Sequence, residues 1–205
     1  MKGILLFAAF LLMTGVDLAR AQELSPAGFL GYEPGSRFTY HHRILDYFRQ
    51  LADSRRGQVK LIEYGRSYED RPLVIAIVSS AKNISRLEDI RKYHLVGTGL
   101  PENEGRGGER PVIAWLSYNI HGDEASSSEA AMQLAYDLLK GDQALLEGLV
   151  VIIDPCSNPD GHSRYVNWYN QVSGKLPNSL PVAREHAQPW PGGRYNHYAF
   201  ALNRD

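Results

Sequence analysis

One cysteine, Cys156, is all the chain carries, so no internal disulfide braces it. It follows Asp154-Pro155 at the end of an apolar run, with no neighbouring His or Cys, and reads as a buried structural thiol. Charge of one sign is also scarce: 22 Lys and Arg face 23 Asp and Glu, for a formal net charge of -1. With no basic stripe interleaved with aromatics, the electrostatic footprint of a nucleic-acid binder is missing. A phosphate-cradling loop is missing too, because the glycines of 105–108 precede a strand instead of following one. Nor is there an apolar run of membrane-spanning length, about 20 residues. The run from Ile4 to Val16 is shorter, with Lys2 before it and Ala19-Arg20-Ala21 after it. That is the form of a signal peptide cut after Ala21. The chain is then expected to be secreted or periplasmic, without stable membrane insertion, and residues 22–205 are its folded part.

The hydrophobic share, 43%, and the charged share, 22%, fit one ordinary globular domain or part of a larger one. Its organising stretch runs from Pro111 to Lys140. Val112 to Tyr118 is β-branched and aromatic, as in a strand, whereas Ala131, Leu134, Ala135, Leu138 and Leu139 recur at helical spacing up to a stop at Gly141. Between them lies His121-Gly122-Asp123-Glu124, at the strand-to-helix junction where α/β proteins build sites. Gly122 is expected to let the backbone turn sharply, so that the imidazole of His121 and the carboxylate of Glu124 converge on one point. A borderline-soft dication suits that nitrogen and oxygen pair. The same spacing also fits a partly buried His and a first-turn Glu favoured by the helix dipole.

Taken in order, Thr39 is expected to cap a helix whose inner face is Ile44, Leu45, Phe48, Leu51 and Ala52. Val59 to Tyr64 and Leu73 to Ser79 read as strands joined by a long hairpin loop, in which Arg66, Glu69 and Arg71 are solvated turn charges. An amphipathic helix from Ser85 to His94 and a Gly- and charge-rich loop from Gly97 to Glu109 follow. Leu149 to Ile153 is a continuous apolar run, typical of a strand buried on both faces. With the strand at 112–118 and one helix between, it makes a right-handed βαβ unit. The fold class is therefore α/β, with a mixed, largely parallel sheet flanked by helices. Asn158-Pro159-Asp160-Gly161 reads as a turn bordering the same cleft as His121. Arg164, close behind it, becomes a site candidate. Trp168 to Gly193 is expected to be a long ordered surface loop, with His197 packing it.

These elements together resemble the zinc carboxypeptidase family of the carboxypeptidase A type: His121-x-x-Glu124 after a strand, Asn158-Pro159-Asp160-Gly161 after the next, then Asn203-Arg204 after a long loop. The resemblance covers the first part of that family's catalytic domain, so the domain is expected to be incomplete at its C-terminus. It implies that His121 and Glu124 are two of the three protein ligands of a catalytic Zn2+. It implies that Asn203 and Arg204 hold the terminal carboxylate of a peptide or protein substrate. The third ligand and the general-base Glu would fall beyond Asp205. Arg164 is the candidate to stabilise the oxyanion, although the family spacing leads to Ser173. Ala201 stands where the family commonly has an Asp that orients the first zinc His. Zinc-dependent hydrolysis at substrate C-termini is the expected activity. The alternatives are a non-catalytic peptide-binding relative and an amide or acyl hydrolase on the same fold.

Overall fold

The computed structural model describes residues 25–96 and 110–205. The expected signal peptide and the expected loop from Gly97 to Glu109 lie outside the described residues. Among these, no helix is long and apolar enough to cross a membrane.

A short helix α1 (Pro26–Leu30), capped by the Ser25 hydroxyl, leads to α2 (His41–Ser54). Strands β1 (Val59–Arg66) and β2 (Pro72–Val78) form an antiparallel hairpin, with an irregularity between Glu63 and Gly65. Helices α3 (Ala81–Ser85) and α4 (Leu87–Leu95) come next; α4 is the helix expected from Ser85 to His94, and α3, which ends at Ser85, was not expected. Then β3 (Val112–Ser117), α5 (Ser126–Lys140), α6 (Gln143–Glu147) and β4 (Leu149–Asp154) make the expected parallel crossover unit. Helix α7 (Pro159–Val172) and a 3₁₀ turn at Arg184–His186 complete the elements.

The described sheet has the order β1-β2-β4-β3. It is mixed, as expected, but the parallel share is small: β2 runs antiparallel to both neighbours, and only β3 and β4 are parallel. The expected inner face of α2 is real. Ile44, Phe48 and Leu51 pack with Met132 and Ala135 of α5 onto Val78, Val151 and Ile153 of the sheet. A smaller cluster of Ile77, Ile90 and Val150 covers part of the opposite face. β3 lies at the sheet edge, and its Val112 and Trp115 are 65% and 60% exposed.

Three local expectations need correction. The long loop expected from Trp168 begins only after Val172, because α7 continues through Trp168 and Tyr169. Thr39 does not cap α2, whose N-cap is Tyr40 without a side-chain bond. Its hydroxyl and its backbone N–H both donate to Glu129 Oε1, each at 2.9 Å. Asn158-Pro159-Asp160-Gly161 is not a free turn but the start of α7. Asn158 caps the helix by accepting from Gly161 N at 3.0 Å, and Pro159 occupies its first position, where no N–H is needed.

Candidate metal centre

The site grows from the carboxyl ends of β3 and β4. Their pairing continues past the strands: Tyr118 N donates to Asp154 O, Ser157 N to Tyr118 O and Asn158 N to Asn119 O, at 2.9 to 3.1 Å. Asn119 adopts a left-handed φ of 56°. Its side chain bonds the His121 carbonyl and accepts from the buried Cys156 thiol. The loop 121–124 is thus fixed from beneath before any ligand is considered.

Gly122 is required for a different reason from the one its sequence position suggested. Its φ is not left-handed; the loop instead presses onto the first turn of α7. A Cβ at 122 would lie 2.2 Å from Gly161 C and His162 N, and 2.3 Å from Gly193 O. Gly161 is pinched in the same way, 2.3 Å from Gly193 O and 2.5 Å from Tyr195 O for a built Cβ. Three backbone segments therefore meet without side chains between them, and His121 stands on this contact.

His121 is buried, 7% exposed, whereas Glu124 faces outward. Their Nδ1 and Oε1 atoms are 2.9 Å apart, and the other ring nitrogen, Nε2, is 2.9 Å from Asn203 Oδ1. Both partners present an oxygen that can accept from the ring. A neutral imidazole has one N–H and satisfies only one of them. If Nε2–H donates to Asn203, a lone pair on Nδ1 faces a carboxylate oxygen, an arrangement that a cation between them turns from repulsion into coordination. The donor set thus fits a metal ion. Among the described residues no group of three His, Cys, Asp or Glu that could hold a metal is present.

The structure brings His121, Glu124 and Asn203 together. Arg204, beside them, is exposed and donates to the Asn203 carbonyl at 3.1 Å. Arg164 takes a different position. From α7 its guanidinium donates to Gly192 O at 2.7 Å and to Tyr195 O and Asn196 O at 3.4 Å, holding the long loop against the helix.

Several polar residues were not legible as partners. Asp160, 2% exposed, accepts from Ser67 Oγ at 2.6 Å, Glu69 N at 3.2 Å and Arg71 Nη1 at 2.7 Å. Glu69 in turn meets Arg71 and His197 Nδ1. Burial would raise the Glu69 carboxyl, but hydrogen bonds from Arg71 and His197 outweigh it and hold it below the usual range. Glu69 and Arg71 are therefore tied into α7 and not solvated turn charges, and His197 does brace the loop. Behind the site, burial raises the carboxyls of Glu129 and Asp154. The pattern held one hint: Glu129 sits on the buried stripe of α5 with Ser128, Ala131 and Met132.

The profile of one protein family, described as zinc carboxypeptidase, matches residues 44–205. No curated protein matches the sequence closely. Among solved structures, the carboxypeptidase A of Helicoverpa armigera overlays with a TM-score of 0.48 at 15% identity, over 77% of this chain and 37% of that one. Bovine thrombin-activatable fibrinolysis inhibitor, solved with tick carboxypeptidase inhibitor, gives 0.46 at 18% identity, over 71% and 38%. A metallo-carboxypeptidase of Burkholderia cenocepacia gives 0.37 at 20% identity, over 60% and 28%. The chain thus spans well under half the length of these structures.

Proposed function

Because the chain belongs to the zinc carboxypeptidase family, we propose that it supplies part of the site of an exported, zinc-dependent carboxypeptidase acting on peptide or protein C-termini. The observation that carries this reading is the pair of His121 Nδ1 and Glu124 Oε1, 2.9 Å apart on a rigid loop with Nε2 already engaged. These two atoms would hold the ion. Zinc would lower the pKa of its water toward neutrality and polarise the scissile carbonyl.

The chain's own residues do the rest of what can be derived. Arg204 presents an exposed planar guanidinium one residue from Asn203, suited to gripping a carboxylate through two parallel hydrogen bonds. That grip would place the last peptide bond of a substrate beside His121 and exclude chains without a free C-terminus. Arg164 remains the candidate for oxyanion stabilisation only if its guanidinium leaves the carbonyls of the loop.

A second reading, binding of peptide termini without turnover, is favoured by Ala201. That residue is 6% exposed and offers no carboxylate to the site.

Calorimetric titration tests the proposal. Zinc is expected to bind one site weakly, since two described donors leave the remaining coordination to water, and His121→Ala should abolish it. A peptide with a free C-terminus should bind, its C-terminal amide should not, and Arg204→Ala should remove the difference. Zinc binding untouched by His121→Ala would refute the metal assignment. Equal binding of acid and amide would refute the carboxylate assignment and favour the amide or acyl hydrolase alternative.

A further inference from the structure

We infer that Asn203 is the positioning residue of His121: its side-chain oxygen fixes the imidazole as the Nε2–H tautomer and so aims the Nδ1 lone pair at the Glu124 side. The inference rests on the metal reading above and gives Asn203 a task besides substrate recognition.

The geometry is local and complete. Asn203 Oδ1 is 2.9 Å from Nε2, while Asn119 Nδ2 holds the His121 backbone carbonyl at 3.2 Å, so the backbone of the residue and one nitrogen of its ring are each tied. Asn203 itself stands in a tight turn. Arg204 N and Asp205 N donate to Ala201 O at 2.8 and 3.2 Å, and the Asp205 carboxylate accepts from Ala201 N at 2.6 Å. The turn presents the amide to a ring that is nearly free of water, where an oriented dipole is stronger than in solvent. Ala201, buried in the same turn, has no polar side chain with which to do this.

The orientation of the amide decides the tautomer. With Oδ1 toward the ring, Nε2 carries the proton and Nδ1 is free to donate its lone pair. With the amide reversed, Nδ2 would donate to Nε2, the proton would sit on Nδ1, and the nitrogen facing Glu124 would be closed to a metal. Only the first orientation makes the ring a ligand at the position where the carboxylate waits. It also leaves both Nδ2 hydrogens uncommitted among the described residues, so the same amide can donate to a substrate carboxylate while it accepts from His121. One side chain then links the occupancy of the carboxylate site to the aim of the metal-binding nitrogen.

The first test is made without metal. The ¹⁵N shifts of His121 in the zinc-free protein, at about pH 8 where an ordinary imidazole is neutral, are expected to report Nε2–H. Asn203→Ala should give a mixture of tautomers and weaken zinc binding by about 10- to 100-fold, the usual effect of losing the partner of a ligating His. Asn203→Asp, which keeps an acceptor that cannot reverse, should retain the tautomer and the zinc affinity yet lose binding of free-acid peptides. Asn203 is exposed, so neither variant should disturb the fold, and unchanged thermal melting confirms that. A dominant Nδ1–H form in the wild type overturns the inference. So does zinc affinity that is the same in Asn203→Ala, or that falls equally in Asn203→Asp. Zinc binding indifferent to His121→Ala would instead defeat the metal reading, and the tautomer result would stand apart from it.

Discussion

Acid should weaken this fold well before its ordinary carboxylates titrate, because two buried histidines resist protonation. Burial, assisted by the neighbouring His162 and Arg71, lowers the His41 pKa from 6.5 to about 3. Burial lowers that of His162 to about 4, against a weaker opposing pull from its bond to Thr39 O. Each folded value lies below its unfolded one, so the unfolded chain takes up the protons first. The stability tied to these rings is whole above pH 6.5 and is lost as pH falls from there toward 4 and 3. One pKa unit corresponds to about 1.4 kcal/mol, so between pH 8 and pH 5 each ring removes about 2 kcal/mol, and the two together about 4 kcal/mol. That is a large part of the stability of an ordinary domain, about 5–15 kcal/mol. Glu129 and Asp154, with raised carboxyls, work in the opposite sense as they take up protons in the folded state, and trim the loss at the acid end. Urea unfolding followed by tryptophan fluorescence at pH 8, 6.5 and 5 measures the slope. His162→Gln, whose amide can still donate toward Thr39, should flatten that slope by about 2 kcal/mol over the same range. A wild-type stability that is level from pH 8 to 5, or a variant with the wild-type slope, would refute the reasoning.

The remaining expectations concern packing. Gly122→Ala places a methyl group 2.2 Å from two backbone atoms of α7, which cannot swing aside as a side chain would. It should destabilise by about 3 kcal/mol or more, at the upper end of overpacking effects, and loosen His121; thermal melting and zinc titration check both, and a near-neutral melt would contradict the close contact. Cys156 is buried, and burial pushes its thiol well above the usual range. A thiol reagent should therefore label it only after denaturation; rapid labelling of the folded chain would show that the loops beneath His121 open.

Much of the scaffold was legible because its signals are local. The inner face of α2, the hairpin and the crossover from β3 to β4 follow from periods of 3.6 and 2 and from β-branched runs, and those patterns report burial directly. The contacts that went unread join residues about 90 positions apart: Thr39 with Glu129, and Ser67 and Arg71 with Asp160. No periodicity encodes such a partner. A buried acid looks like a surface acid until the chain that folds over it is in place. Asn158-Pro159-Asp160-Gly161 shows the same limit, since a turn and a helix start use the same residues for the same reasons, an oxygen that accepts and a fixed φ. At the site, the convergence of His121 and Glu124 was legible from a spacing of three. Asn203 was picked out by resemblance and for a different partner, because its bond to His121 spans 82 positions.

The exposed margin of β3 has a practical side. Val112 to Ser117 carries no charge and no proline, and among the described residues only β4 pairs with it. Its outward backbone groups and the apolar side chains beside them form an adhesive strip, of the kind that other proteins blunt with lysine or a bulge. Such a strip is where a further strand, from a longer stretch of chain or from another molecule, can add. The same β3 runs directly into the loop of His121, so a strand added along this margin would bear on that loop, and Val112, 65% exposed and on the end farthest from His121, is where a lysine would hold such pairing off.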